Sequence, residues 1–361
     1  MVSFFYVSPA AKLVQRDSRN FVWDWRSDMQ DGLFARIEVD DGLRLEIHSP
    51  ADTEVASVPF ADFAGKGGPL AQQAWVHVVG KHILISNPEK GVWCLDEAGK
   101  KLWELPDMAL SRAFGAAPAI CNGRMILAGE QKLLAVDDDG SIAWEYRGSP
   151  GSHLYCTQAD AERMFLASGT AIEMLSASGE LLESIELDAD NITACVMDSS
   201  QRPVFSEMHE SDSTSFTLRR LEPDGSITEL LHIPQPGTKP VKPAGIYWLR
   251  AANGNDVLAF TTAGVFRVDQ AGNVTQLTDV DAIHAEYLPN AGLLATDNTL
   301  NGDQTFFNAA FGCRRIQLID MDGKVQRSFY KKFWFTQGFA DDQEGHVYQL
   351  SRRGGLRQLV Y

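Results

Sequence analysis

Residues 118–146 read PAICNGRMILAGEQKLLAVDDDGSIAWEY, and this stretch decides the fold. Aliphatic and β-branched residues fill 118–121, 124–128, 132–136 and 141–146. Asn122-Gly123 separates the first two runs and Asp139-Gly140 the last two. Both dipeptides supply the positive φ that hairpin turns need. The stretch predicts four short antiparallel strands, one blade of a β-propeller.

The rest of the chain repeats this blade with decay. VWCLDEAGKKLWEL, LLAVDDDGSIAWEY, IEMLSASGELLESI, LRRLEPDGSITELL, VFRVDQAGNVTQLT and IQLIDMDGKVQRSF align on Gly99, Gly140, Gly179, Gly225, Gly272 and Gly323. Each has an aliphatic residue four positions before its glycine and an apolar one two or three after it. The glycines are 41, 39, 46, 47 and 51 residues apart. A strand-only repeat of about 40–50 residues means a propeller, and no stretch carries helical periodicity.

AVDDDGSIAW and CLDEAGKKLW resemble the repeat of quinoprotein-type propellers, in which Ala-Leu-Asp leads to Gly and then to Trp four residues later. The resemblance implies that Trp103 and Trp144 pack between neighbouring blades. The turn here is one residue shorter, and Glu183, Glu229, Gln276 and Arg327 take the tryptophan position in later repeats. The quinone chemistry is not implied. The cofactor-covering pair of adjacent cysteines is missing, and the family's calcium-binding carboxylates match no positions here. No cofactor is expected, and a non-catalytic propeller used as an assembly platform is the nearer comparison.

The expected architecture is all-β: a single propeller domain over residues 1–361, built of four-stranded antiparallel blades. Eight blades are counted from strand pairs near 33, 75, 117, 155, 193, 247, 283 and 336, with seven as the alternative. Strands are expected at 33–39, 43–48 and 54–58. Near the C-terminus they are expected at 337–340, 347–351 and 356–361, with no fourth strand following. Phe21–Trp25 is expected to supply it, because Trp23 matches Trp144 in pattern. Residues 1–26 would then complete the last blade and 27–361 form the others, hiding two sheet edges.

Lys and Arg number 32 against 48 Asp and Glu, a net charge of −16. That excess argues against nucleic-acid partners, which need a basic surface. It suits a protein partner with a basic patch. No run reaches the length of a membrane helix. The apolar patch Val2–Val7 has no basic residue before it, so no secretory signal is expected. The five cysteines, Cys94, Cys121, Cys156, Cys195 and Cys313, include no CxxC. They read as reduced core residues of a cytoplasmic protein.

Local catalytic signatures are missing. None of the eight histidines stands in HxH or HExxH spacing, and there is neither a GxSxG elbow nor a phosphate-binding loop. Asp137–Asp139 and Asp320–Asp322 resemble pieces of calcium loops, but Tyr146 and Phe329 stand where such a loop needs glutamate. No metal site is expected. His209, in the acidic stretch Glu207-Met-His-Glu210-Ser-Asp212, is read as part of a solvated polar loop.

The long excursions, 106–114, 207–215, 233–245 and 298–313, all fall at second-to-third-strand or blade-to-blade connections. They are expected on the face opposite the glycine hairpins, and long loops on a rigid scaffold carry function. Phe306, Phe307 and Phe311 with Glu207, His209, Glu210 and Asp212 are the expected partner-binding residues. The leading expectation is a non-catalytic scaffold, or a neutralising or regulatory binding protein. The alternatives are a metal-dependent hydrolase or lyase with a dispersed axial site, and a small-ligand or carbohydrate sensor.

Overall fold

The computed structural model describes residues 3–7, 13–15, 27–30, 33–38, 44–48, 56–59, 75–87, 90–110, 118–129, 132–148, 154–159, 162–168, 170–187, 191–198, 200–208, 216–233, 246–252, 256–279, 285–297, 313–332, 336–342, 345–351 and 356–360. All regular structure among them is β-strand, in six four-stranded antiparallel sheets and one nine-stranded sheet. The blade read from 118–146 is the strands Ala119–Cys121, Arg124–Ala128, Lys132–Val136 and Ile142–Arg147, hydrogen-bonded in that order. Asn122 and Gly123 have φ of 48° and 74°, the positive pair that a two-residue turn requires.

The second turn is longer than a dipeptide. Asp137 N–H bonds to Ser141 O and Gly140 N–H to Asp137 O, both at 2.9 Å. Only Gly140 has positive φ, at 86°, and the register shifts at Ala135/Val136. This is a three-residue loop with a bulge. The same bond pair recurs around Gly99, Gly179, Gly225, Gly272 and Gly323. The aliphatic residues four before those six glycines, Leu95, Val136, Leu175, Leu221, Val268 and Ile319, are all buried.

The chain divides into two compact units, residues 1–102 with 277–361 and residues 103–276. In the second unit, apolar layers join successive sheets. Ile126, Leu133 and Ala135 of the 119–147 sheet pack with Met164, Leu166 and Leu175 of the 154–186 sheet. Phe165 and Ile172 on the other face of that sheet pack with Cys195, Phe205 and Leu221. Val204 and Leu218 in turn pack with Leu249, Val257 and Ala259. Each strand thus sends alternate residues to two neighbouring layers.

In the first unit the order of the nine-stranded sheet corrects one expectation. Ser3–Val7 lies beside Leu356–Val360, with Ser3 opposite Val360 and Val7 opposite Leu356. The strand that follows the last one in space is therefore Ser3–Val7, whose aromatic and β-branched residues favour strand, and not Phe21–Trp25, which lies outside the described residues. Leu13–Gln15 then bridges Thr336–Asp342 and Ser27–Gln30. Asp341 fastens its own sheet to the 285–332 sheet, accepting the Asn290 and Ala291 amides at 2.5 and 2.8 Å.

Candidate functional site

Within each sheet, one end carries the glycine hairpins and the first-to-second-strand turns. The other end carries the second-to-third-strand connections and the exits to the next sheet. The two ends differ in length of chain. The connections 60–74, 106–118, 234–245 and 298–312 all leave from the second kind of end, and none at the hairpin end is longer than 49–55. The Gly-rich 64–68 stretch belongs to the first of these.

Part of the 106–118 connection is anchored. Met108 and Leu110 are buried, and Leu110 bridges Gly129. A Cβ on Gly129 would meet Ala109 O and Met108 Cε at 3.2 Å each, so glycine permits this close approach.

Two buried carboxylates in the second unit stand toward the long-connection end. Glu173, on Ala171–Ser176, is 3% exposed and hydrogen-bonds Tyr146 of the preceding sheet. Burial, with Glu186 nearby, holds its carboxyl above the ordinary carboxylate range. The same burial and the Glu173 charge push the Tyr146 phenol up to about 12. Glu207 is the second. It ends the strand Pro203–Met208, is 1% exposed, and lies 3.1 Å from Arg219 Nε. Nearby, Thr217 Oγ1 and His232 Nδ1 are 3.1 Å apart.

Glu207 is therefore not a solvated loop residue. The strand runs on to Met208, and the buried carboxylate is balanced by a guanidinium one residue pair away. The sequence held a signal for this. Glu207 and Arg219 fall on paired strands with the parity of Phe205 and Leu221, which face the same apolar layer. His209, Glu210, Asp212, Phe306, Phe307 and Phe311 lie outside the described residues. The acidic stretch and the phenylalanines belong to different units.

The hairpin end is built by self-capping. Asp139 accepts the Ser141 amide at 2.9 Å, and Asp320 accepts those of Asp322 and Lys324 at 3.0 and 2.9 Å. Hydrogen bonds from the Ser141 side chain and amide hold the Asp139 carboxyl below its usual value. Among the described residues no three His, Cys, Asp or Glu side chains gather as a metal site. Cys94, Cys121 and Cys195 are buried and outside any disulfide.

The tryptophans implied by the repeat do pack between sheets. A Cβ on Gly140 would fall 2.5 Å from Trp103 Cβ, and one on Gly179 2.6 Å from Trp144 Cδ2. Trp144 also donates from Nε1 to Ala177 O at 3.1 Å. Each tryptophan therefore lies directly against the glycine of the following hairpin.

This arrangement has counterparts among known proteins. A family model described as outer membrane protein assembly factor BamB matches residues 24–215. The chain belongs to this family. With it comes the PQQ-like β-propeller superfamily that the Gly-to-Trp repeat resembled. BamB from Moraxella catarrhalis superposes with a TM-score of 0.54 at 14% identity, covering all of this chain and 97% of that one. The computationally designed Ika8 protein gives 0.58 at 12% identity, covering 97% and 100%. Virginiamycin B lyase from Staphylococcus aureus gives 0.50 at 14%, covering 79% and 94%. These likenesses speak of fold. Comparison with curated proteins finds no significant match.

Proposed function

We propose that this BamB-family chain is a non-catalytic binding propeller that holds a protein partner at the long-connection end of its sheets. Its strands group into eight four-stranded blades, the last completed by Ser3–Val7, which closes the ring within a single domain. The observation that carries the binding role is the asymmetry of the two ends. The glycine hairpins at one end are short and capped by their own aspartates or, at Gly179, by Ser176, whereas the connections that break the repeat leave from the other. Chain that interrupts a rigid scaffold at one end is where binding residues accumulate. The family model's description as an assembly factor supports the same class of role.

In this reading Phe306, Phe307 and Phe311 supply aromatic anchors. His209, Glu210 and Asp212 orient a partner bearing a basic patch, consistent with the net charge of −16. Glu207 acts from beneath, paired with Arg219, rather than by touching the partner. The test is a quantitative pull-down from the native host with full-length chain. Alanine at both Phe306 and Phe307 should weaken the captured partner by about 2 kcal/mol or more with the melting temperature kept. A sharp fall in melting temperature instead would make those rings a loop core. The buried thiols outside any disulfide support a cytoplasmic location; recovery of the native protein in a membrane or periplasmic fraction would overturn it.

A further inference from the structure

Four successive junctions in the second unit show how the glycine hairpin is normally covered. Gly140 lies under Trp103 and Gly179 under Trp144. Gly272 is touched by Leu230 Cδ2, at 3.4 Å from where a Cβ would stand. Arg202 and Arg220 reinforce that junction by donating to Gln270 O at 3.3 and 3.0 Å. Gly225 is different. Among the described residues nothing lies within 4 Å of its Cβ position, although its φ of 81° matches the others. The residue that should cover it, four after Gly179, is Glu183, which is exposed.

Beside this gap lies the strand Leu181–Glu186, an edge of its sheet. Leu181 and Leu182 on it are 50% and 54% exposed. Exposure at the Leu181 position is common to the repeat, since Ile142, Ile227, Val274 and Val325 share it. Leu182 stands one position further on, where the other repeats carry Leu102, Ala143, Thr228, Thr275 and Gln326; Leu102 is exposed too, at 42%, and Leu182, at 54%, is the most exposed large apolar side chain among the described residues. The surround is strongly acidic. Glu180, Glu183, Glu186 and Asp224 are exposed, and the two arginines that reach the hairpin, Arg202 and Arg220, are paired with Glu222 at 3.2 and 2.7 Å.

We infer that the gap between Leu182, Glu183 and Gly225 is a docking notch for a protein segment presenting a tryptophan or similar flat aromatic ring between basic residues. The occupant follows from the chain's own precedent. The same hairpin backbone receives an indole at the two preceding junctions, and here no described residue stands within 4 Å of the Cβ position. A glycine face offers a ring close approach to backbone without a Cβ in the way. Leu182 gives the ring an apolar wall, and the carboxylates select for a cationic flank. The notch stands at the hairpin end, so it does not rest on the long-connection reading above.

The test uses the full chain and two peptides, acetyl-Lys-Lys-Trp-Lys-Lys-amide and the same peptide with alanine for tryptophan, titrated calorimetrically at low salt. The tryptophan peptide should bind about ten-fold tighter or more, the discrimination an aromatic anchor gives. Glu183→Trp supplies the missing indole from within; it should raise the melting temperature and remove the difference between the peptides. Leu182→Ser, a surface change, should cut the tryptophan peptide's affinity about three-fold or more and leave the melting temperature unchanged. It decides the matter if Glu183→Trp folds poorly. Equal binding of both peptides would mean attraction by charge alone and would overturn the notch. So would a preference that survives Leu182→Ser. The paired alanine changes at Phe306 and Phe307 should leave peptide affinity untouched, which separates failure of this site from failure of the other.

Discussion

Gly140 and Gly225 turn the same hairpin with nearly the same backbone, at φ of 86° and 81°, yet one is covered by an indole and the other faces open space. Both glycines are required by local geometry, because an L side chain in this left-handed region is strained. Only the first is also required by packing. One residue four positions after the preceding glycine, Trp103 in one case and Glu183 in the other, makes the difference. The repeat thus separates two demands that usually coincide: what a turn asks of its own chain, and what a neighbouring sheet asks of the turn.

The largest test of this contrast is Trp103→Ala. Trp103 is 7% exposed and lies on Gly140, so its loss should cost about 3–5 kcal/mol in denaturant melts. A cost below about 1 kcal/mol would break the comparison, since the indole would then contribute no more than an exposed side chain. Next come Gly140→Ala and Gly225→Ala as a pair. Both incur the left-handed strain of about 1–2 kcal/mol. Only the first also drives a methyl into Trp103, adding about 1–3 kcal/mol of overpacking. Equal destabilisation of the two variants would show that the hairpin at 140 opens away from the indole without cost. Leu230→Ala should fall lower still, at about 1–2 kcal/mol, because Leu230 is half-buried and only grazes Gly272.

The last test turns to the far end of the junction that Trp144 fills. Burial raises the Glu173 carboxyl above its ordinary value. A raised acid favours the folded state fully below the unfolded carboxylate range, and that contribution is lost as pH rises through the folded value. Glu173→Gln keeps an acceptor for Tyr146 but cannot ionise. Its melting temperature should therefore exceed that of the parent chain at pH 8, and the advantage should shrink as pH falls toward the carboxylate range. A pH-independent difference between the two melts would remove the ionisation argument.

Much of this fold was legible because its signals are local. The four strands of 119–147 were read within a residue of their ends, since Asn-Gly and a glycine hairpin punctuate them. The same bond pair at six glycines follows from the same short motif. The packing of Trp103 and Trp144 was legible through resemblance to the Gly-to-Trp repeat. The candidate site was less so. Glu207 looked like the start of a polar loop, because the charged run Glu207–Asp212 hid where the strand ended. Its partner Arg219 is near only through pairing of Pro203–Met208 with Phe216–Leu221. At the N-terminus, Phe21–Trp25 carried the motif tryptophan, but Ser3–Val7 took the place beside Leu356–Val360.

The sequence by itself determined the turns, the strands between them and the repeat, because a hairpin's backbone demands are met by residues a few positions apart. Only the tertiary structure decided which glycines are covered, which carboxylates are buried beside a partner, and which N-terminal segment joins the final strands. Those outcomes depend on groups brought together from dozens to hundreds of residues away, where alternation of apolar and polar residues fixes the face a side chain takes but not what it meets there.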